Sequence, residues 1–115
     1  MTQIIVGDPA STAELFETAP NAENIRIWPA EAAATDLDPS SSAALARGLA
    51  DFEAEVTGQE PALVLLADDS DAALAAALVA TKLLIPVAAV AAASQPSTAN
   101  GRLIAQLAEA YTRPA

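Results

Sequence analysis

Neither cysteine nor histidine occurs in the 115 residues of this chain. That excludes disulfides, thiol nucleophiles and zinc sites of the Cys/His kind, and it removes the side chain most used as a general base. Aromatic residues are almost as scarce, with two Phe, one Trp and one Tyr, which leaves little to sandwich a flavin ring. Positive charge is scarce too: Arg26, Arg47, Lys82, Arg102 and Arg113 stand against 15 acidic residues, for a net charge of -10. So acidic a chain lacks the basic footprint that phosphate backbones and anionic lipid surfaces require, so neither nucleic acid nor membrane is expected as a partner. Two phosphate-binding patterns are also missing, GxGxxG and GxxxxGK[ST], and no cofactor is expected.

What is present is an alanine-rich, 53% hydrophobic chain of the size of one domain, expected to span 1–115 with a single core. Met1 runs straight into a strand-like segment without a charged-then-apolar leader pattern, so a cytoplasmic location is expected. The stretch Ala72–Ala93 is apolar except for Thr81, Lys82 and Pro86. A membrane span is rejected there, because a lysine near the centre costs about 2.5–3.5 kcal/mol and alanines return little. A buried helix that turns at Leu84–Pro86 into a buried strand accounts for the same residues.

Four times along the chain a short apolar run precedes a helical stretch. Gln3–Val6 predicts a strand, ending at Gly7-Asp8-Pro9, where Asp8 can cap a helix that opens on Pro9; Ser11 and Glu14 offer a competing capping box. Leu15, Phe16 and Ala19 give that helix its apolar side, and Pro20-Asn21 stops it. Ile25–Trp28 alternates and predicts a strand near a sheet edge. The segment from Pro29 to Ser42 has the least ordered pattern, with a cap signal at Asp38-Pro39; Leu45, Leu49, Phe52 and Val56 then line one face of a helix that Gly58 closes. Ala62–Ala67 predicts a fully buried strand, Asp68-Asp69-Ser70-Asp71 a helix start, and Ile85–Ala92 a fourth strand. After the loop Ser94–Thr98, Leu103, Ile104, Leu107, Ala108 and Tyr111 form an amphipathic stripe. Such alternation predicts an α/β, Rossmann-like three-layer domain with a parallel sheet of about four strands, Ala62–Ala67 and Val87–Ala91 at its centre.

Ligands of such sheets bind at the carboxyl ends of the strands, so the informative loops are Gly7–Ser11, Trp28–Ala32, Asp68–Asp71 and Ala92–Ala99. Candidate ligand-binding residues are Gly7, Asp8, Asp69, Ser70 and Arg102, and Asp68, directly after the buried strand, is the candidate catalytic residue. Asp69 and Asp71 have a plainer reading, as helix caps that complement the dipole for about 0.3–1 kcal/mol each. Their spacing does not match a calcium loop, and no metal site is expected.

The segment Pro61-Ala-Leu-Val-Leu-Leu-Ala-Asp68-Asp-Ser-Asp, its alanine-rich continuation, and Ile85-Pro-Val-Ala-Ala-Val resemble the non-hydrolysing UDP-N-acetylglucosamine 2-epimerases. That family has a strand ending in Gly-Asp-Thr-Thr, an alanine-rich helix, then Ile-Pro-Val and His-Val-Glu-Ala-Gly. Ile4-Ile-Val-Gly7-Asp-Pro9 is similar to its opening strand and Gly-Thr-Arg-Pro-Glu turn, and Asn100-Gly-Arg102-Leu to its Asn-Arg-Arg-Leu helix start. The resemblance implies a shortened N-terminal half, with Asp68 matching the Gly-Asp aspartate. Ala89–Ala93 occupy the His-Val-Glu-Ala-Gly positions, so the histidine and glutamate are absent, as is the arginine of the opening turn. The family's second domain, which holds most of the nucleotide, has no counterpart in these residues.

Three functions of different class follow. One is a catalytically degenerate epimerase-like domain acting through protein contacts, as a homo-oligomer or beside a sugar-nucleotide enzyme. Another is a module binding a small ligand or a sugar nucleotide, and the third is a reduced 2-epimerase relying on Asp68. A helix over Asp71–Leu83 with alanine around most of its circumference predicts self-association, since such a helix needs cover on all sides. A response-regulator receiver, suggested by Leu65-Leu-Ala-Asp68-Asp69, leaves too little chain for a phospho-acceptor strand, and a flavodoxin-like reading of Gly7–Glu14 lacks aromatics.

Overall fold

The computed structural model describes residues 2–18, 24–28 and 42–110. Its elements run β1 (Thr2–Val6), α1 (Pro9–Thr18), β2 (Asn24–Trp28), α2 (Ser42–Gln59), β3 (Leu63–Leu66), α3 (Asp71–Lys82), β4 (Val87–Ala89), α4 (Ala99–Leu107) and β5 (Glu109–Ala110). The expectations placed on Ala19, Pro20, Asn21, 29–41 and Tyr111 lie outside the described residues. All strand pairs are parallel, in the order β2-β1-β3-β4-β5. This is the α/β three-layer architecture that the alternating pattern predicts, with one strand more.

The direction of chain travel sets the layers. From β1 the chain steps outward to β2, then back across β1 to β3 and onward to β5. Crossovers of one hand that run in opposite directions land on opposite faces. Accordingly, among the described helices, α1 covers one face, where Leu15 packs on Ile5, Leu65 and Ala67. On the other, Phe52 and Val56 of α2, the alanines of α3 and Ile104 of α4 pack on Ile4, Val6, Val64, Leu66, Val87 and Ala89. Alternate residues of β1 and β3 thus belong to different cores, and both strands are apolar on both sides.

Each helix seats the face its spacing marks. Phe52 and Val56 are buried, with Leu45 and Leu49 packed beside them, and Phe52 meets Trp28 of the edge strand β2 edge-to-face at 4.8 Å. Gly48 lets α2 approach α3: a Cβ there would stand 3.3 Å from the Ala75 Cβ. The sheet, α2 and α4 together enclose Ala73–Ala77, Val79 and Ala80, so the cover that α3 requires is supplied within the chain. The polyalanine surface of α3 is therefore no argument for self-association. No helix among the described residues is long and apolar enough to cross a membrane.

Four local expectations are corrected. Helix α1 opens on Pro9, with the Ser11 N–H donating to Asp8 Oδ1 at 2.8 Å, so Asp8 and not the Ser11/Glu14 box caps it. Helix α2 runs through Gly58 to Gln59, and Glu60 takes the left-handed turn at φ 46°. Strand β4 is shorter than Ile85–Ala92, because Val90 to Ser94 fold into a turn through the bonds Ala93 N–H to Val90 O and Ser94 N–H to Ala91 O; it also lies second from the sheet edge, not at its centre. Finally, the amphipathic stripe breaks at Ala108, and Glu109 and Ala110 pair with Ala88 and Ala89. The unsatisfied edge of β4 captures these residues from the helix.

Helix α3 ends in a Schellman motif, with Ile85 N–H to Ala80 O at 2.8 Å and Leu84 N–H to Thr81 O at 3.2 Å. The left-handed position of that motif belongs to glycine in most helices. Here Leu84 occupies it, at φ 61° and 89% exposed. A leucine there costs about 1–2 kcal/mol of backbone strain, against about 0.5–1 kcal/mol of extra chain entropy for glycine. Leu84→Gly is therefore expected to raise the melting temperature of dilute protein by a few degrees. An unchanged or lowered value in differential scanning calorimetry would refute the strain.

Candidate functional site

The strand order reverses at β1, with β2 on one side and β3 on the other. Open α/β sheets have their crevice at such a point, above the carboxyl ends of the strands. Gly7 follows β1 there and Ala67-Asp68 follows β3. The two loops touch: a Cβ on Gly7 would stand 2.8 Å from Asp68 Oδ2 and 3.1 Å from the Ala67 Cβ. Gly7 is thus required by close approach of the neighbouring loop.

The half-buried Asp68 carboxylate accepts from two backbone donors, the Asp8 N–H at 2.7 Å on Oδ2 and the Ser70 N–H at 3.0 Å on Oδ1. One side chain therefore fixes both the entry to α1 and the entry to α3. Ser70 then caps α3, its hydroxyl oxygen accepting from the Ala73 N–H at 3.2 Å, and Asp71 begins the helix with a charge that suits its dipole.

Asp69 turns the other way, to the loop before α4. The Thr98 hydroxyl donates to Asp69 Oδ2 at 2.7 Å and accepts from the Gly101 N–H at 2.9 Å, so it caps α4 and ties the helix to the β3–α3 loop. Asn100 Nδ2 donates to the Asp69 carbonyl at 3.0 Å and to Asp71 Oδ1 at 2.8 Å. Gly101 is buried against the loop, where a Cβ would overlap the Gln95 backbone. Arg102 is exposed and donates to the Pro96 carbonyl at 3.2 Å.

Gly7, Asp8, Asp68 and Ser70 therefore meet in one junction, Asp69 in an adjoining one, and Arg102 lies beyond both, bonded to its own loop. Thr98 and Asn100 carry contacts that sequence reasoning did not assign. Thr98 was legible as a cap, three residues before Gly101; the reach of Asn100 back to Asp69 and Asp71 is tertiary and left no local signal. Ala89 and Ala91, which the resemblance sets against a histidine and a glutamate, are a buried end of β4 and an exposed turn residue. Among the described residues no three of His, Cys, Asp and Glu are grouped to hold a metal ion.

Known structures share the fold that carries this arrangement. No protein-family model matches the chain, and no curated protein matches it significantly. Solved structures do. UDP-GlcNAc 2-epimerase of Methanocaldococcus jannaschii, in complex with UDP-GlcNAc and UDP, is similar over 93% of this chain and 38% of its own, at 20% identity and TM-score 0.70. Staphylococcus aureus MnaA, in a structure with UDP, is similar over 94% of this chain and 36% of its own, at 17% identity and TM-score 0.68. The Neisseria meningitidis UDP-GlcNAc 2-epimerase bound to UDP-GlcNAc gives 93% and 38%, at 16% identity and TM-score 0.56. The chain thus has a fold found in these enzymes and spans a little over a third of their length.

Two outcomes are expected. Asp68→Ala deprives two backbone donors of their acceptor and should cost about 1–3 kcal/mol of stability. Gly7→Ala should cost less in the Asp68→Ala background than in the wild type, since the nearest clash is then gone; strictly additive losses in a denaturation cycle would refute the contact. The second concerns pH. The Ser11 N–H holds the Asp8 carboxyl below its ordinary value, desolvation opposes this, and hydrogen bonds from the Ser11 hydroxyl and the Ala10 N–H add to the lowering. A depressed folded value gives stability that is present above the unfolded pKa and lost as pH falls through the folded one. Stability should therefore begin to fall near pH 3.8 and continue below it, whereas Asp8→Asn, which keeps the cap, should flatten that part of the acid curve. An identical acid limb in both proteins would refute the assignment.

Proposed function

We propose that the chain is a non-catalytic relative of the N-terminal domain of UDP-N-acetylglucosamine 2-epimerases, acting through protein contacts as a homo-oligomer or as an accessory subunit of a sugar-nucleotide enzyme. The observation that carries this reading is the state of Asp68. Each of its oxygens accepts from a backbone N–H group, so the carboxylate that matches the family's aspartate serves as a brace between two loops. Proton removal and return at a sugar carbon needs positioned acid and base groups on the pocket wall. The matching positions from Ala89 to Ala93 offer only aliphatic side chains.

Electrostatics favour the same reading. Asp8, Asp68, Asp69 and Asp71 crowd the carboxyl edge of the sheet, and Arg102 is turned to the Pro96 carbonyl. A diphosphate approaching this edge meets like charge, and one exposed arginine returns about 1 kcal/mol or less.

The test is a titration with UDP-N-acetylglucosamine followed by amide chemical shifts, combined with deuterium wash-in at C2 of the sugar. Neither saturable shifts at micromolar ligand nor deuterium above a protein-free control is expected. Micromolar binding lost in Asp68→Asn would favour a sugar-nucleotide binding module instead, and deuterium incorporation would favour a reduced epimerase.

A further inference from the structure

We propose that the Asn100-Gly101 step is a self-modification site, at which loss of the Asn100 amide irreversibly loosens α4 and β5 from the sheet. It needs neither ligand nor partner and so holds whatever the domain contacts. Of the asparagines Asn21, Asn24 and Asn100, only Asn100 precedes a glycine. A glycine neighbour leaves the next amide nitrogen unhindered and its backbone free to turn toward the side chain. Packing compels that neighbour here, since a Cβ on Gly101 would overlap the Gln95 backbone. The reaction balances with water alone. The Gly101 nitrogen gives its proton to hydroxide and bonds to Asn100 Cγ, and ammonia departs with a proton from water, closing a five-membered imide. Water then opens the ring at either carbonyl: breaking the bond from nitrogen to Cγ leaves aspartate, and breaking that to the main-chain carbon leaves isoaspartate. Water enters, ammonia leaves, and nothing is oxidised or reduced.

The fold restrains both reacting groups and so gates the step. Asn100 is the second residue of α4, and ring closure requires a ψ well outside the helical range. The Gly101 N–H donates to Thr98 Oγ1 at 2.9 Å, while Asn100 Nδ2 donates to the Asp69 carbonyl at 3.0 Å and to Asp71 Oδ1 at 2.8 Å. The first turn of α4 must therefore open before the imide forms. That turn is lightly secured. Helix α4 has 9 residues, too few to persist alone, with Gly101 and Ile104 buried and Leu103 50% exposed. The strand that follows it, β5, has 2 residues, both exposed, at the edge of the sheet. Terminal elements of this kind open without global unfolding. Conversion then removes both Nδ2 donors and sets a second carboxylate beside that of Asp71, where like charges repel. Isoaspartate also lengthens the backbone by a methylene and carries the Gly101 N–H away from Thr98. Among the described residues, the side-chain tie that remains between this end of α4 and the β3–α3 loop is the Thr98 hydroxyl on Asp69.

Ageing the full chain at mildly alkaline pH, with mass spectrometry of the intact protein and of the peptide holding Asn100, reads the conversion as a gain of about 1 Da. The folded chain should convert at Asn100 about ten- to a hundredfold more slowly than the chain in denaturant, because it reacts only while α4 is open. Both rates should rise with pH, the attacking group being the deprotonated nitrogen. Thr98→Val, which removes the acceptor of the Gly101 N–H, should speed the folded reaction about tenfold and leave the denatured one unchanged, whereas Thr98→Ser, which keeps the acceptor, should match the wild type. Circular dichroism checks that both variants fold. Asn100→Asp reproduces one product, and its amide hydrogen exchange over residues 99–110 should quicken about tenfold while β1 and β3 exchange as before. A folded chain that never converts overturns the proposal, as does one that converts as fast as in denaturant or at a rate indifferent to Thr98→Val. Unchanged exchange in Asn100→Asp overturns it too, since conversion would then loosen nothing.

Discussion

The carboxylate of Asp68 is the contact on which the working edge of this molecule depends. A parallel sheet delivers its strands to one edge, and each chain leaving that edge exposes backbone N–H groups at the start of the next helix. Those donors need acceptors. Asp68 accepts from Asp8 and Ser70 together, so the ends of β1 and β3 are held by one side chain at the point where the strand order reverses. Asp8 in turn caps α1, Ser70 caps α3, and Asp69 receives the hydroxyl that caps α4. Three helix starts thus form one hydrogen-bonded system, and Gly7 and Gly101 are its steric conditions, each standing where a side chain would strike the adjacent loop.

That arrangement gives each acidic residue of the edge a structural contact. Among the described residues at this edge, Asp8, Asp68, Asp69 and Asp71 each accept from a protein donor. The same charges lie at the amino ends of helices, where the dipole stabilises them, and they occupy the places where helix N–H groups would otherwise cradle a phosphate.

How much of this was legible follows from the range of each interaction. The strands Gln3–Val6 and Ala62–Ala67 announce themselves by the unbroken apolar runs Ile4–Val6 and Ala62–Ala67, as a strand covered on both faces requires. The face of α2 was written in the spacing of Leu45, Leu49, Phe52 and Val56, and the edge place of β2 in the alternation of Ile25–Trp28. Asp8 and Ser70 were readable as cap-type residues, and Gly7 and Asp68 as strand-end positions, because those are properties of sequence neighbours. The tie between Asp68 and Asp8 spans 60 residues and that between Asp69 and Thr98 spans 29, and no periodicity records such distances. The end of α4 was misplaced for a related reason: the stripe continues to Tyr111, but the open edge of β4 competes for Glu109 and Ala110, and a pattern along one segment carries no information about a vacancy in another.

The alanines of α3 show the same limit from the other side. A helix apolar all round is buried all round, but the physics does not say by what. Here the sheet, α2 and α4 surround it, and alanine is the side chain that permits this, since Gly48 of α2 comes close enough for its Cβ position to lie 3.3 Å from that of Ala75. The outer ridges of α2 and α3 leave a shallow groove lined by Ala46, Leu49, Ala50, Leu78 and Leu83. The apolar surface that remains on α3 is thus small and near its end, at Leu78 and the following Leu83, while its alanines are covered.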